Sequence, residues 1–380
     1  MRRGELGWAI CLAGLPWSFF LIRLLTPFTQ LDIWHANALW MQLATLILAG
    51  VQASTQQPLT RLPAACWWFV SWVSGSLLWI FAGLLRTGLL YPTPMLMGVA
   101  NLWLILLVVL LLSSCSLSAL QSIAQGVFWS GTGLIVYGWL QAMNLDPFFK
   151  YIDGSRTTDL IVGTIGNPTH FACQLALWCP LALIQPGWRK LWMLPALGLI
   201  GLCSSATAMV LTMLLGLGWV WTQSKKMAWM SVATMALTGA GWGWTHPAWL
   251  NPHGRFHTWQ AWWPVLMEHS VVGAGLGFTK QLADRLPVEH LLSQWKHLHN
   301  EYLQLWIETG LIGMGLLGWL GWHLWQRRHH GERHAFRWAC GWMLVLCCLM
   351  ACLSFPFHLW QVGGLGLFAM CGWLVSTETV

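Results

Sequence analysis

HGRFHTWQAWWPVLMEHSVVGAGLGFTKQLADRLPVEHLLSQWKHLHNEYLQLWIETGLIG occupies residues 253–313, and nearly everything on either side of it is apolar. With His246 just upstream, this stretch holds seven of the fourteen histidines, and it holds five of the twelve acids. Working outward, the flanks read as long apolar runs separated by short polar breaks. Such runs of about 20 residues are the mark of membrane-spanning helices. A membrane protein that gathers its ionisable groups in one loop does its chemistry there.

Composition supports the class. Hydrophobic residues make up 57% of the chain and charged residues 8%, against about 25% charged in a soluble domain. Mean hydropathy is +0.58. The formal charge of +7 does not point to nucleic acid, because the basic residues sit in short loops between apolar runs, where they set topology. The eleven cysteines fall almost entirely inside apolar runs, with no CxxC pair. They read as small core residues rather than a disulfide framework or metal site. Some of the 32 tryptophans are expected as interfacial anchors. Met1-Arg2-Arg3 and the apolar run behind it read as a retained first span rather than a cleaved signal.

The fold expected is an all-α polytopic membrane protein, one transmembrane domain over residues 1–380 with about twelve spans. These lie near 7–25, 34–53, 64–84, 93–113, 118–143, 169–186, 190–203, 206–223, 227–244, 299–325, 335–354 and 358–376. The seventh and eighth share one apolar run broken at Ser204-Ser205, so eleven spans is the rival count. With the N-terminus inside, the inner segments carry Arg2, Arg3, Arg61, Arg189, Lys190, Lys225, Lys226, Arg327, Arg328, Arg333 and Arg337, whereas the short outer loops carry only Arg23 and Arg86. The bias predicts cytoplasmic termini and two longer outer loops, about 144–168 and 245–298.

The first outer loop ends Gly163-Thr-Ile-Gly166-Asn167-Pro168-Thr-His170, where Asn167-Pro168 signals a turn and a helix start. In the second, Trp259, Trp262, Trp263, Leu266 and Met267 have helical spacing. They suit either the membrane interface or packing against the tops of the spans; Pro264 weakens the helix or restarts it. Gly273-Ala-Gly275-Leu-Gly277 lacks the βαβ context of a nucleotide-binding turn and reads as a flexible glycine turn. His299 stands where the loop meets the tenth span. An unperturbed imidazole titrates near 6.5, so it can take a proton at neutral pH. Arg255 carries a planar fork that matches phosphate. Glu308 lies about nine residues into the tenth span, where a carboxylate must face protein or a cavity. Gly310, Gly313, Gly315, Gly318 and Gly321 suggest a closely packed helix. The histidines at 253 and 257, and at 290, 297 and 299, form no conventional metal-ligand set.

Taken in series, these residues resemble the superfamily of O-antigen ligases and O-antigen polymerases, which includes the pilin O-oligosaccharyltransferases. The likeness is carried by Tyr137-Gly-Trp-Leu-Gln141, by Gly163 to Pro168, by Gly254-Arg255 before Trp259, and by Gly273 to Phe278. The most specific part is His299-Asn300-Glu301-Tyr302-Leu303 with Glu308-Thr-Gly310-Leu-Ile-Gly313. The resemblance implies a GT-C-like fold with the large periplasmic loop between the ninth and tenth spans. It also implies a metal-independent, cofactor-free inverting glycosyltransferase in the bacterial inner membrane. The donor would be a glycan on undecaprenyl pyrophosphate and the acceptor a hydroxyl of lipid A–core, a growing glycan or a pilin-like protein, with lipid A–core leading. By position, His299 would be the base and Arg255 would bind the donor pyrophosphate. Asn300, Glu301, Tyr302, Glu308, Asn167 and Gly275 would support the site. One departure is that a Ser-Arg pair of the family is replaced by Cys203-Ser-Ser-Ala-Thr207; Arg156 is the candidate substitute. The rival class is a polytopic transporter or lipid flippase, but the inverted repeats and midplane charges of transporters are not evident.

Overall fold

The computed structural model describes residues 105, 108–146, 161–232, 255–286, 298–327, 335–354 and 356–376. The first three expected spans lie outside these residues, as do most of the fourth, two thirds of the ninth, Arg156, His253, His290 and His297. Among the described residues the structure is helical, with no strand. The helices are α1 (Leu117–Ala142), α2 (Pro168–Leu183), α3 (Met193–Leu202), α4 (Ala206–Gln223), α5 (Arg255–Glu268), α6 (Phe278–Arg285), α7 (Glu301–Gln326), α8 (Ala335–Ala351) and α9 (Trp360–Val375). Short 3₁₀ turns, Gly187–Trp192 and Pro356–His358, precede α3 and α9. Two of the helices are long and apolar enough to cross a membrane, Ala206–Gln223 and Glu301–Gln326. Ala335–Ala351 and Gln361–Val375 are shorter apolar helices.

Helix α2 is the hub. Every residue from His170 to Ala182 is buried, as expected of a helix that is apolar all round. It packs against α1, α3, α4, α8 and α9, and these elements share one apolar core. The contact with α1 shows why tryptophan is used so heavily. The Trp178 ring stacks on Phe128 with centroids 5.4 Å apart, while its indole N–H donates to the Phe128 carbonyl at 3.1 Å. Gly131 makes room, since a Cβ there would collide with the indole. Trp139 donates likewise to Pro195 O at 3.1 Å, tying α1 to α3. A buried indole thus fills volume and satisfies a carbonyl at once. A second group of tryptophans, at 188, 221, 229, 322 and 325, is exposed. These sit close in sequence to Arg189, Lys225, Lys226 and Arg327, the pattern of interfacial anchors beside loop charges.

The break at Ser204-Ser205 is real. Ser204 takes φ of +50°, and Ser205 is extended and caps α4 through Ala208 N at 3.3 Å. The apolar run therefore makes two helices, of which α4 is long and apolar enough to cross a membrane and the 10-residue α3 is not. The cysteines divide: 173, 179, 340, 347 and 371 are buried, whereas 348 and 352 are exposed. Those two depart from the core expectation.

A second, smaller core lies apart from the first. Trp262, Leu266, Leu298 and Ile307 form it, drawn from α5, the residue pair before α7, and the second turn of α7. The α5 stripe is split between two environments. Trp262 and Leu266 pack inward, while Phe256, Trp263 and Met267 are exposed. Helix α7 is not one continuous span. At Gly310 the backbone takes φ 66°, ψ −168°, a conformation open essentially to glycine alone. The turns before this kink belong to the loop core; Leu311 and Ile312, just past it, are exposed. Gly315, Gly318 and Gly321 have open space where a Cβ would sit, and at Gly313 it would meet only Thr309 of the same helix, so the expectation of close packing on neighbours holds only at Gly310.

Candidate functional site

Four helices begin at one end of this assembly, and their caps follow from sequence. Asn167 is extended, and its side chain accepts from His170 N at 3.2 Å to start α2. Pro168 fills the first helical position, where the missing N–H costs nothing. Asn300 does the same for α7, accepting from Leu303 N at 3.0 Å. Ser205 starts α4, and Arg255 is the first residue of α5.

The turn ahead of α2 is held by Gln141. Its Oε1 accepts from Val162 N at 3.1 Å and Gly163 N at 2.7 Å. Its Nε2 donates to Asp146 Oδ2 at 3.0 Å and to Gly163 O at 3.3 Å. The Tyr137 hydroxyl donates to Asp146 Oδ1 at 2.9 Å. One buried amide therefore fixes residues 162–163, and through them the position of Asn167 and the first turn of α2. This is the physical use of the Tyr137 to Gln141 segment at the end of α1.

His299 sits before α7, not on it. Its backbone is left-handed, with φ of +53°, a region that histidine enters more readily than most residues. Leu298 on one side is buried in the loop core, and Asn300 on the other is the cap. The Trp259 indole of α5 donates to Leu298 O at 2.8 Å, which ties His299 to the helix that Arg255 begins. His170, in the first turn of α2, is within electrostatic reach of both His299 and Arg255. Arg255 in turn interacts with Cys173, one turn further along α2. Three separate segments thus come within electrostatic reach around His170: His299 and Arg255 act on it, and Cys173 acts on Arg255.

Arg255 is 8% exposed and its Nε has no hydrogen-bond partner. Burial lowers its pKa from the ordinary guanidinium value, with the Cys173 sulfur opposing. Guanidinium stays charged in proteins, so burial without a counter-charge is costly and an anion entering here would relieve it. The helix starts add to this. No acid occupies the first turn of α2, α4 or α5, and the positive end of a helix favours an anion.

The remaining site candidates hold the segments around His299 in place. Glu308 is buried; its Oε1 accepts from Thr279 of α6 at 2.7 Å and from Gln304 at 3.3 Å. Its backbone carbonyl accepts from Gly275 N at 2.9 Å, while Ala274 N donates to Ile307 O at 2.8 Å. Glu308 and Gly275 therefore meet each other, fastening the glycine turn to the kink of α7. Glu301 Oε1 accepts from Phe357 N at 3.0 Å, and the Tyr302 hydroxyl donates to Cys348 O at 3.0 Å. These two tether the start of α7 to the α8–α9 corner. His170, Cys173 and Ser205 were not singled out from sequence. A lone histidine three residues after a capping asparagine, inside an otherwise apolar helix, was the available signal for the first. Among the described residues no group of three or more His, Cys, Asp or Glu is placed to hold a metal.

Comparison with known proteins places this geometry. Residues 175–318 match the family model described as O-Antigen ligase; the match includes Ser205, Arg255 and His299 and begins after His170 and Cys173. No curated protein matches the chain. The family implies an enzyme of glycosyltransferase type, carried on apolar membrane helices and working with a lipid-linked glycan and an acceptor. Residues 175–318 thus match an O-antigen ligase domain, which supports the O-antigen ligase superfamily.

Proposed function

We infer that this protein moves a glycan from undecaprenyl pyrophosphate to an acceptor hydroxyl at the periplasmic face of the bacterial inner membrane, without a metal and with inversion at the anomeric carbon. Lipid A–core is the leading acceptor; a pilin-like protein or a growing glycan is the alternative. The observation that supports the reading is a buried guanidinium with which no carboxylate of the described residues pairs, and an imidazole on a left-handed turn, each within electrostatic reach of His170. In the proposed step the acceptor oxygen attacks the anomeric carbon from the side opposite the phosphate. Its proton passes to His299, the bond from carbon to the phosphate oxygen breaks, and the pyrophosphate departs as an anion beside Arg255. A leaving group already this good needs its charge held more than it needs an acid, and a neutral imidazole is suited to the acceptor proton.

The orientation belongs to the proposal: cytoplasmic termini, with residues 245–298 periplasmic. A cysteine introduced at position 284, with the native cysteines replaced, should react with an impermeant thiol reagent added from the periplasmic side. Labelling from the cytoplasmic side alone overturns both the orientation and the periplasmic site.

The donor role of Arg255 has its own test. Arg255→Lys keeps the charge and loses the fork, so donor binding should fall about tenfold or more, given that a charge-assisted bond contributes roughly 1.5–3 kcal/mol. Donor affinity equal to wild type removes Arg255 from the site. Arg156→Ala is the parallel test of the second candidate cation.

A further inference from the structure

We propose that the groove between the start of α1, the end of α2 and the start of α8 binds a phospholipid whose headgroup carries hydroxyls, of the phosphatidylglycerol kind. The groove has a volume of about 480 Å³, and Ser118, Gln121, Ser122, Gln125, Gln185 and Phe336 line it. It lies at the far end of α2 from His170, about 22 Å away at 1.5 Å per residue, so it is distinct from the region of His299 and Arg255. In the orientation proposed above this end faces the inner leaflet. Three observations choose the ligand. The first is the lining: among the described residues, none that lines the groove is charged. Serine hydroxyls and glutamine amides can each donate and accept, which suits hydroxyl groups. The second is Gln185, which is 4% exposed. Its Nε2 donates to Leu181 O at 3.1 Å, while its Oε1 has no partner. A buried acceptor left open is costly, and a ligand hydroxyl is the donor this wall lacks. The third is the outer face of α1. Ser118, Ser122, Gln125, Trp129 and Val136 have helical spacing that puts them on one face, and all five are exposed. That face is polar over its first turns and apolar beyond, the order of a lipid from headgroup to tail. Arg189 stands at the boundary: its Cζ is 5.4 Å from the centroid of the Trp129 ring, one turn past Gln125. A guanidinium there matches a phosphate, and a basic residue beside a pocket between membrane helices suits a lipid headgroup. The polyol thus lies against Gln125 and Gln185, the phosphate at Arg189 and an acyl chain along Val136. A soluble sugar would fill the groove and leave both Arg189 and the apolar face unused.

The test uses the full-length protein purified in an amine-oxide detergent, which brings no hydroxyl to compete. Because binding is read in detergent, the outcome depends neither on orientation nor on glycan transfer. Native mass spectrometry would measure the affinity for phosphatidylglycerol and for phosphatidylpropanol with the same acyl chains. The two lipids share phosphate and charge, and only the first has headgroup hydroxyls. Wild type should bind phosphatidylglycerol at least about fivefold more tightly, the effect of one or two hydrogen bonds. Gln125→Leu changes an exposed position and should melt like wild type. It should cut the preference to about twofold or less and leave phosphatidylpropanol binding unchanged. Gln185→Met, close in volume, should do the same; if it does not fold, Gln125→Leu decides alone. Arg189→Gln should weaken both lipids alike, by about threefold or more, and keep the preference. Equal affinity of wild type for the two lipids overturns the proposal, as does a preference that survives in Gln125→Leu. Arg189→Gln with no effect on either lipid overturns the placing of the phosphate. Water-soluble glycerophosphoglycerol is the other source of the same chemistry. If it displaces phosphatidylglycerol at equal concentration, the groove takes a free polyol phosphate and the lipid assignment falls.

Discussion

His299→Ala should insert, fold and bind the lipid-linked donor, yet transfer glycan about 10²–10⁴-fold more slowly, the usual contribution of a positioned general base. Arg255 and the helix starts are untouched by the change, so donor affinity should hold within about threefold, under 1 kcal/mol. His299 has left-handed backbone, so alanine there carries a conformational cost unrelated to catalysis. His299→Asn removes that ambiguity, because asparagine tolerates the left-handed region while supplying no base. Both variants should be equally slow. An asparagine variant with near wild-type turnover assigns the histidine to the turn and not to proton transfer. Activity of the wild type should also fall on acidification, as the imidazole takes up a proton and ceases to accept one.

The other large effect concerns Gly310. A side chain there faces both a backbone conformation reserved for glycine and a collision with the Val271 carbonyl. Gly273, across the contact, has φ of +74° and would place a Cβ against the Glu308 and Thr309 backbone. The two glycines allow two main chains to touch, and Ala274, Gly275 and Leu311 N–H groups donate across the junction. Gly310→Ala should therefore destabilise the loop by roughly 3–5 kcal/mol, combining backbone strain with overpacking. The junction positions Trp306 and, through the shared core, Leu298 beside His299. Transfer should consequently be lost along with resistance of the loop to proteolysis. Gly315→Ala is the comparison: nothing crowds that position, and alanine is favoured over glycine in a helix by about 0.5–1 kcal/mol. Equal protease resistance in the two variants contradicts the account of the junction.

How much of this was legible in the sequence depended on range. Apolar runs and caps are local, so α1, α2, α4, α7, α8 and α9 could be placed to within a few residues. The Ser204-Ser205 break was visible because serines interrupt an otherwise continuous apolar run. Glu308 was rightly expected to face protein, because a carboxylate in such a helix must. The kink at Gly310 was not legible. A glycine inside a helix is compatible with close packing, a bend or nothing, and only the docking of residues 271–275 decides among them. The site was half legible. Arg255 and His299 carried chemistry on their own account, whereas His170 and Cys173 acquire theirs from neighbours 82 or more residues away. Ser205 was legible only as part of a break in the apolar run; that it caps α4 is a finding of the structure. Glu301 and Tyr302 adjoin the histidine in sequence, but their side chains turn to the α8–α9 corner.

The most direct measurement of the central claim is a reconstitution. Purified protein in proteoliposomes would be given a defined undecaprenyl pyrophosphate-linked glycan, with lipid A–core, a pilin-like protein and a second lipid-linked glycan offered as separate acceptors and EDTA present throughout. The account predicts glycan covalently joined to one of these acceptors with inverted anomeric configuration, release of undecaprenyl pyrophosphate, and loss of both products in His299→Asn. Movement of the intact lipid-linked glycan from one leaflet to the other, with no new glycosidic bond to any acceptor, would contradict it.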